Sequence, residues 1–245
     1  MLGINERLRR RRDCESALAN RLAALHARPP AAASSNWNVA LFDHAADAVG
    51  CALVATEIRA DDSLRIDLAD VGGLTPVAGV LAAQCCLELL RRTDGVDLVE
   101  ANRYFLDGAV GEGAMIAAGT IRFDVETPTW DGSFAGLQAP IQIDAAGRIE
   151  LLRGTGPFLG LTETTFPMLR GTLEPGARLI VLAGCGAADR STELLELLTM
   201  LRGSTLTDWI GEIGSRLAEQ VEPGFGLTLV AIERIALPPA YADVE

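Results

Sequence analysis

Apolar residues recur along the chain in two rhythms, and the places where one gives way to the other divide it into elements. Glu6 to Ala27 holds no proline or glycine and is rich in Leu, Ala, Arg and Glu, which predicts one helix. Ile4, Leu8, Leu18, Leu22 and Leu25 fall on heptad spacing, with Arg11 and Glu15 interrupting the seam at its centre. Such a seam suits a dimer contact or a signalling helix, and an amphipathic helix lying on its own domain satisfies the same pattern. Pro29-Pro30 followed by small residues to Ser35 reads as a linker.

Beyond the linker the rhythm shortens to two. Trp37 to Phe42, Gly50 to Ile58 and Leu64 to Ala69 are β-prone, and Leu64, Ile66 and Leu68 alternate with Arg65 and Asp67 as a half-buried strand should. Thr75-Pro76 opens a helix, with Thr75 as N-cap and proline at the first helical position, running to about Arg92 and ended by Gly95. Its core face is Val77, Val80, Leu81, Leu87 and Leu90, and the Cys85-Cys86 pair falls on the same apolar side. A helix follows at Leu98 to Leu106. Strands are then expected at Ala114 to Val125, Trp130 to Ile143, Arg148 to Leu152, Phe166 to Leu173 and Arg178 to Ala183, with a hairpin turn at Asp144 to Gly147. Helices around Ser191 to Leu201 and Thr207 to Val221 precede a closing strand, Leu227 to Ile235. Strands in hairpins, with helices grouped between sets of them, predict an α+β layered sandwich.

Composition narrows the chemistry. With 245 residues, 49% of them hydrophobic, the chain has ample length for a core and is not disordered by composition. Its net charge of −12 disfavours nucleic acid, because phosphate backbones would be repelled over most of the surface. All 21 basic residues are arginine, which excludes Schiff-base chemistry and Walker-type phosphate binding by lysine. His26 and His44 are the only histidines, too few for a His-rich zinc site. The five cysteines are odd in number and lack any C-x-x-C spacing, the usage of a reducing cytoplasm. No signal peptide or membrane-spanning run is apparent, so a cytoplasmic location is expected. Trp37, Trp130 and Trp209 read as core or interface.

The order of segments from Val49 to Arg234 resembles the PPM-type, SpoIIE-like protein serine/threonine phosphatases. Leu68-Ala-Asp-Val-Gly-Gly-Leu-Thr-Pro76 resembles the family's Gly-Asp-Val-x-Gly-x-Gly segment, and Gly113-Ala-Met-Ile-Ala-Ala118 resembles its Phe-Met-Thr strand. Phe134-Ala-Gly-Leu-Gln-Ala-Pro140 resembles its Ala-Gly-His-x-Pro loop, Leu173 to Leu182 its Leu-x-Pro-Gly-Asp strand entry, and Leu227 to Arg234 its closing strand. The resemblance implies two antiparallel β-sheets packed face to face and flanked by helices, an αββα sandwich spanning 36–236, after an N-terminal helix at 1–30 and before a tail at 237–245.

It also implies two hard cations, manganese or magnesium, held by aspartates between the sheets and binding the attacking water. Here Ala52 and Ala55 stand where two of those aspartates belong, Gly184 replaces another, and Phe225 and Gly226 replace an Asp-Asp pair. Asp70 alone survives among the matched positions. One carboxylate cannot hold two such cations, so the resemblance points to a pseudophosphatase with no cofactor. For Asp70 itself the ordinary expectation is a turn residue that accepts backbone N–H groups ahead of the helix. The resemblance further implies a protein partner, a sigma-factor regulator or another bacterial signalling protein, and no nucleic acid or membrane. Leu74, Arg91 and Arg92 are the expected partner anchors, and Ile4 to Leu25 the expected homodimer contact. The first helix looks like the helical linker to an upstream receiver or sensor. The competing expectation is an active metal-dependent phosphatase rebuilt on Asp43, Asp47, Glu57 or Asp189.

Overall fold

A computed structural model of the chain describes residues 36–44, 51–108, 113–184, 191–200, 205–221 and 226–235. The elements are β1 (Trp37–His44), β2 (Cys51–Ile58), β3 (Leu64–Gly72), α1 (Pro76–Arg92), α2 (Val99–Leu106), β4 (Met115–Phe123), β5 (Thr129–Ala135), β6 (Ile141–Ile143), β7 (Ile149–Leu151), β8 (Met168–Thr172), β9 (Arg178–Ala183), α3 (Ser191–Met200), α4 (Leu206–Ala218) and β10 (Leu227–Arg234). The helix expected over Glu6 to Ala27, its seam from Ile4 to Leu25 and the tail 237–245 lie outside the described residues.

The strands form two five-stranded antiparallel sheets, one ordered β1-β10-β9-β6-β7 and the other β2-β3-β4-β5-β8. Strand alternation sends Leu64, Ile66 and Leu68 inward to meet Leu179, Val181, Val230 and Ile232 of the other sheet. Ala69 and Val71 face the opposite way, into a second core under α1 and α2. A third core, with Trp209, Ile210 and Ile213 of α4 against Leu229 and Ala231, closes the other side. The architecture is the α+β sandwich expected from the pattern, helices outside and sheets within. All three tryptophans are buried.

Four local expectations change. The stretch from Trp130 to Ile143 is two strands in different sheets, because the chain crosses the sandwich at 136–140. Gly136 takes φ +62° there, and a side chain on it would run into the ring of Phe158. Thr75 has the extended backbone of an N-cap, yet its hydroxyl makes no capping bond; α1 ends at Thr93, whose N–H and hydroxyl both donate to the carbonyl of Leu90. Leu81 is 52% exposed rather than core, and Cys85 is half-buried while Cys86 is fully enclosed.

The fourth change is in β3, which is buried along its whole length, Arg65 at 3% and Asp67 at 2% exposure. Their face is covered by α1, where the guanidinium is fully engaged. Its Nε donates to both oxygens of Asp67 at 3.0 Å, Nη1 to the carbonyl of Thr93 at 2.6 Å, and Nη2 to the carbonyl of Leu90. Thr120 on β4 donates to Asp67 at 2.7 Å. Carbonyls left over at a helix C-terminus need donors, and a buried carboxylate needs a cation, so one arginine answers both needs. Burial pushes the Asp67 carboxyl upward, against the pull of Arg65 and Thr120.

Candidate functional site

The register locates one end of the sandwich from which most of the chemistry must be argued. His44 pairs with Leu227, Thr228 with Ala183, Cys51 with Val71 and Gly72 with Met115. The ends of β1, β3 and β9 and the starts of β2, β4 and β10 are therefore neighbours. Asp70 lies at this end, on the face of β3 that looks toward the other sheet, directly across from Ala52 on β2 and Ala117 on β4.

Asp70 is not a turn residue. It belongs to a central strand, is 7% exposed, and its Oδ2 accepts the N–H of Gly184, at 3.1 Å, from the end of β9 in the opposite sheet. Its Oδ1 is buried with no hydrogen-bond partner among the described residues. Burial raises the carboxyl to about 6, against the lowering effect of the Gly184 and Val71 amides. Local sequence carries no sign of this, because the donor is 114 residues away.

The positions at which the resemblance expects missing ligands separate in space. Ala52 faces Asp70 across the ladder, and Gly184 touches it through its N–H. Ala55 does not belong with them. Residues three apart along a strand point to opposite faces, and Ala55 is packed beneath α1, beside Val80 and Ala83. Gly226 immediately precedes β10 at the same end as Asp70, while Phe225 lies outside the described residues.

Of the alternative acids, Asp43 is at the right end, exposed, and accepts a hydrogen bond from the Thr228 hydroxyl at 2.8 Å. Glu57 is exposed and pairs in register with Arg65, five residues along β2 from Ala52, which is about 17 Å. Asp47 and Asp189 lie outside the described residues. Among the described residues no three His, Cys, Asp or Glu side chains are grouped so as to hold a metal ion. Two hard cations want about six oxygens each. Among the described residues Asp70, with one oxygen already accepting an amide, belongs to no such group.

Nor does the structure gather the expected partner anchors. Leu74 is half-buried just before α1, near Asp70, whereas Arg91 and Arg92 close the helix about 25 Å further along its axis. Arg91 pairs with Glu88 at 3.1 Å on the surface.

No family model matches the sequence, and no curated protein does. Solved structures match the fold. The SiaA-PP2C domain of Pseudomonas aeruginosa superposes with a TM-score of 0.71 at 14% identity, over 96% of this chain and 100% of that one. The RsbU and RsbW domains of Rv1364c from Mycobacterium tuberculosis give 0.66 at 20% identity, over 83% of this chain and 63% of that one. The PP2C phosphatase domain and regulatory fragment of SpoIIE from Bacillus subtilis give 0.57 at 11%, over 80% and 63%. This chain thus spans less than two thirds of the length of the latter two. The two facing sheets and their flanking helices are the fold of PPM-type serine/threonine phosphatase domains. Among the described residues no helix is long and apolar enough to cross a membrane.

Proposed function

We propose that this chain is a phosphatase-fold domain without phosphatase chemistry, which works by binding a protein partner in bacterial signalling, in sigma-factor or two-component control within the cytoplasm. One observation carries the reading. Asp70, the surviving acid of the resemblance, has one oxygen committed to a backbone amide of the opposite sheet and stands across from an alanine. A carboxylate in that setting serves as a structural acceptor, and among the described residues it is not grouped with two further acids that could hold a cation. The RsbU domain of like fold shares its chain with an RsbW domain, which supports a protein as the ligand.

The purified chain is expected to take up no manganese or magnesium in calorimetry and to hydrolyse neither phosphoserine peptides nor nitrophenyl phosphate. Stoichiometric uptake with metal-dependent hydrolysis would overturn this. A rebuilt site is the second reading, favoured by one fact of topology: β1 with Asp43, and the strand ends flanking residues 45–50 and 185–190, which carry Asp47 and Asp189, all meet at the Asp70 end. Activity that is lost in Asp43→Ala would select it.

For the partner surface, Leu74 and the rim beside it are proposed as one contact. A partner that also reaches Arg91 and Arg92 has to lie along the whole of α1, whose outward stripe is Leu81, Cys85, Glu88 and Arg92. Self-association is assigned to the seam Ile4, Leu8, Leu18, Leu22 and Leu25. Light scattering on residues 34–245 is expected to give a lower oligomeric state than the full chain; the same oligomeric state in both would rule out the seam as the contact.

A further inference from the structure

We infer that the site is closed at the level of its backbone, so that restoring the lost carboxylates does not restore a metal centre; this rests on the metal-free reading of the proposed function. Position 184 shows it. Gly184 holds φ +125°, a conformation that L residues rarely adopt. A Cβ there would overlap the carbonyl oxygen of Gly226 and stand 3.1 Å from both the Gly226 carbonyl carbon and the Leu227 Cα. These are backbone atoms at the start of β10, fixed by the pairing of Thr228 with Ala183, and they cannot swing aside as the end of a long side chain would.

The same residue supplies the tie between the sheets. Its N–H donates to Asp70, so a hydrogen bond joins β3 to β9 where the resemblance puts cations between the sheets. Asp70 is thereby a positioning residue that fixes the end of β9. An added acid at position 52 would face it directly across the β2 and β3 ladder, adding like charge beside a carboxylate whose Oδ2 is already committed to Gly184.

The test uses the full chain. Gly184→Ala and Gly184→Asp are expected to lower Tm by similar amounts, because the Cβ rather than the carboxylate is at fault, and millimolar manganese is expected to raise neither. A second variant combining Ala52→Asp with Gly226→Asp leaves Gly184 in place and is expected to show no stoichiometric manganese uptake in calorimetry. Should Gly184→Asp fail to fold, this second variant decides the matter. Gly184→Asp with the Tm of the unsubstituted chain, or uptake of one or two manganese ions by either restored variant together with a metal-dependent rise in Tm, would overturn the inference. Uptake by the unsubstituted chain would instead sink the metal-free reading, and this inference with it.

Discussion

Arg65→Ala is expected to destabilise the protein by about 3–5 kcal/mol, the usual cost of removing one partner of a buried ion pair. Three losses coincide. Asp67, 2% exposed in the unsubstituted chain, loses its cation and among the described residues keeps Thr120 alone as a side-chain donor. The carbonyls of Leu90 and Thr93 lose the guanidinium donors that closed the end of α1. The space left by a long side chain between β3 and α1 adds a cavity cost. Denaturant unfolding followed by circular dichroism measures the effect, with frayed signal from α1 as its local mark. A double variant, Arg65→Leu with Asp67→Leu, is expected to be less destabilised than Arg65→Ala, because no uncompensated charge is then buried. Equal stability of Arg65→Ala and the unsubstituted chain would show that the network carries no net energy.

The second large effect is a dependence on pH. The Asp70 carboxyl is raised to about 6 in the folded protein from an ordinary 3.8. Between about pH 4 and pH 6 the folded state therefore keeps a proton that the unfolded chain has released, and stability falls as pH rises through that window. At neutral pH the difference between the two states is worth about 3 kcal/mol. Below about pH 4 both states are protonated and the penalty is absent. Asp70→Asn keeps an oxygen for the Gly184 N–H and carries no charge. It is expected to match the unsubstituted chain near pH 4 and to exceed its stability by about 2–3 kcal/mol at pH 7 and above. Comparing the two proteins cancels the other carboxylates, including exposed Asp61 and half-buried Asp144, which are held below the usual carboxylate range by hydrogen bonds from Ser63 and Arg148. Parallel stability curves across this range would show that Asp70 is not held in a charge-excluding site.

Much of the fold was legible along the chain. Alternation of period two marked the strands, Pro76 at the helix start marked α1, and Asp144 to Gly147 marked the β6 and β7 hairpin, because each signal depends on residues a few positions apart. The resemblance compares residue types in order, and of the positions it singled out Ala52 and Gly184 lie beside Asp70. Tertiary structure decided what depends on residues distant in sequence. Alternating Arg65 and Asp67 carried the mark of a solvated face, and α1, lying across them, made that face a second core. Ala52 and Ala55 looked like two members of one site, and the pleat of β2 sent them to opposite sides of the sheet. Asp70 fitted a turn by its neighbours, yet its partner is Gly184, brought to it only when the two sheets stack. A side chain's charge and size are written in the sequence, but its environment is supplied by segments that only folding brings near, and buried polar groups take their roles from that environment.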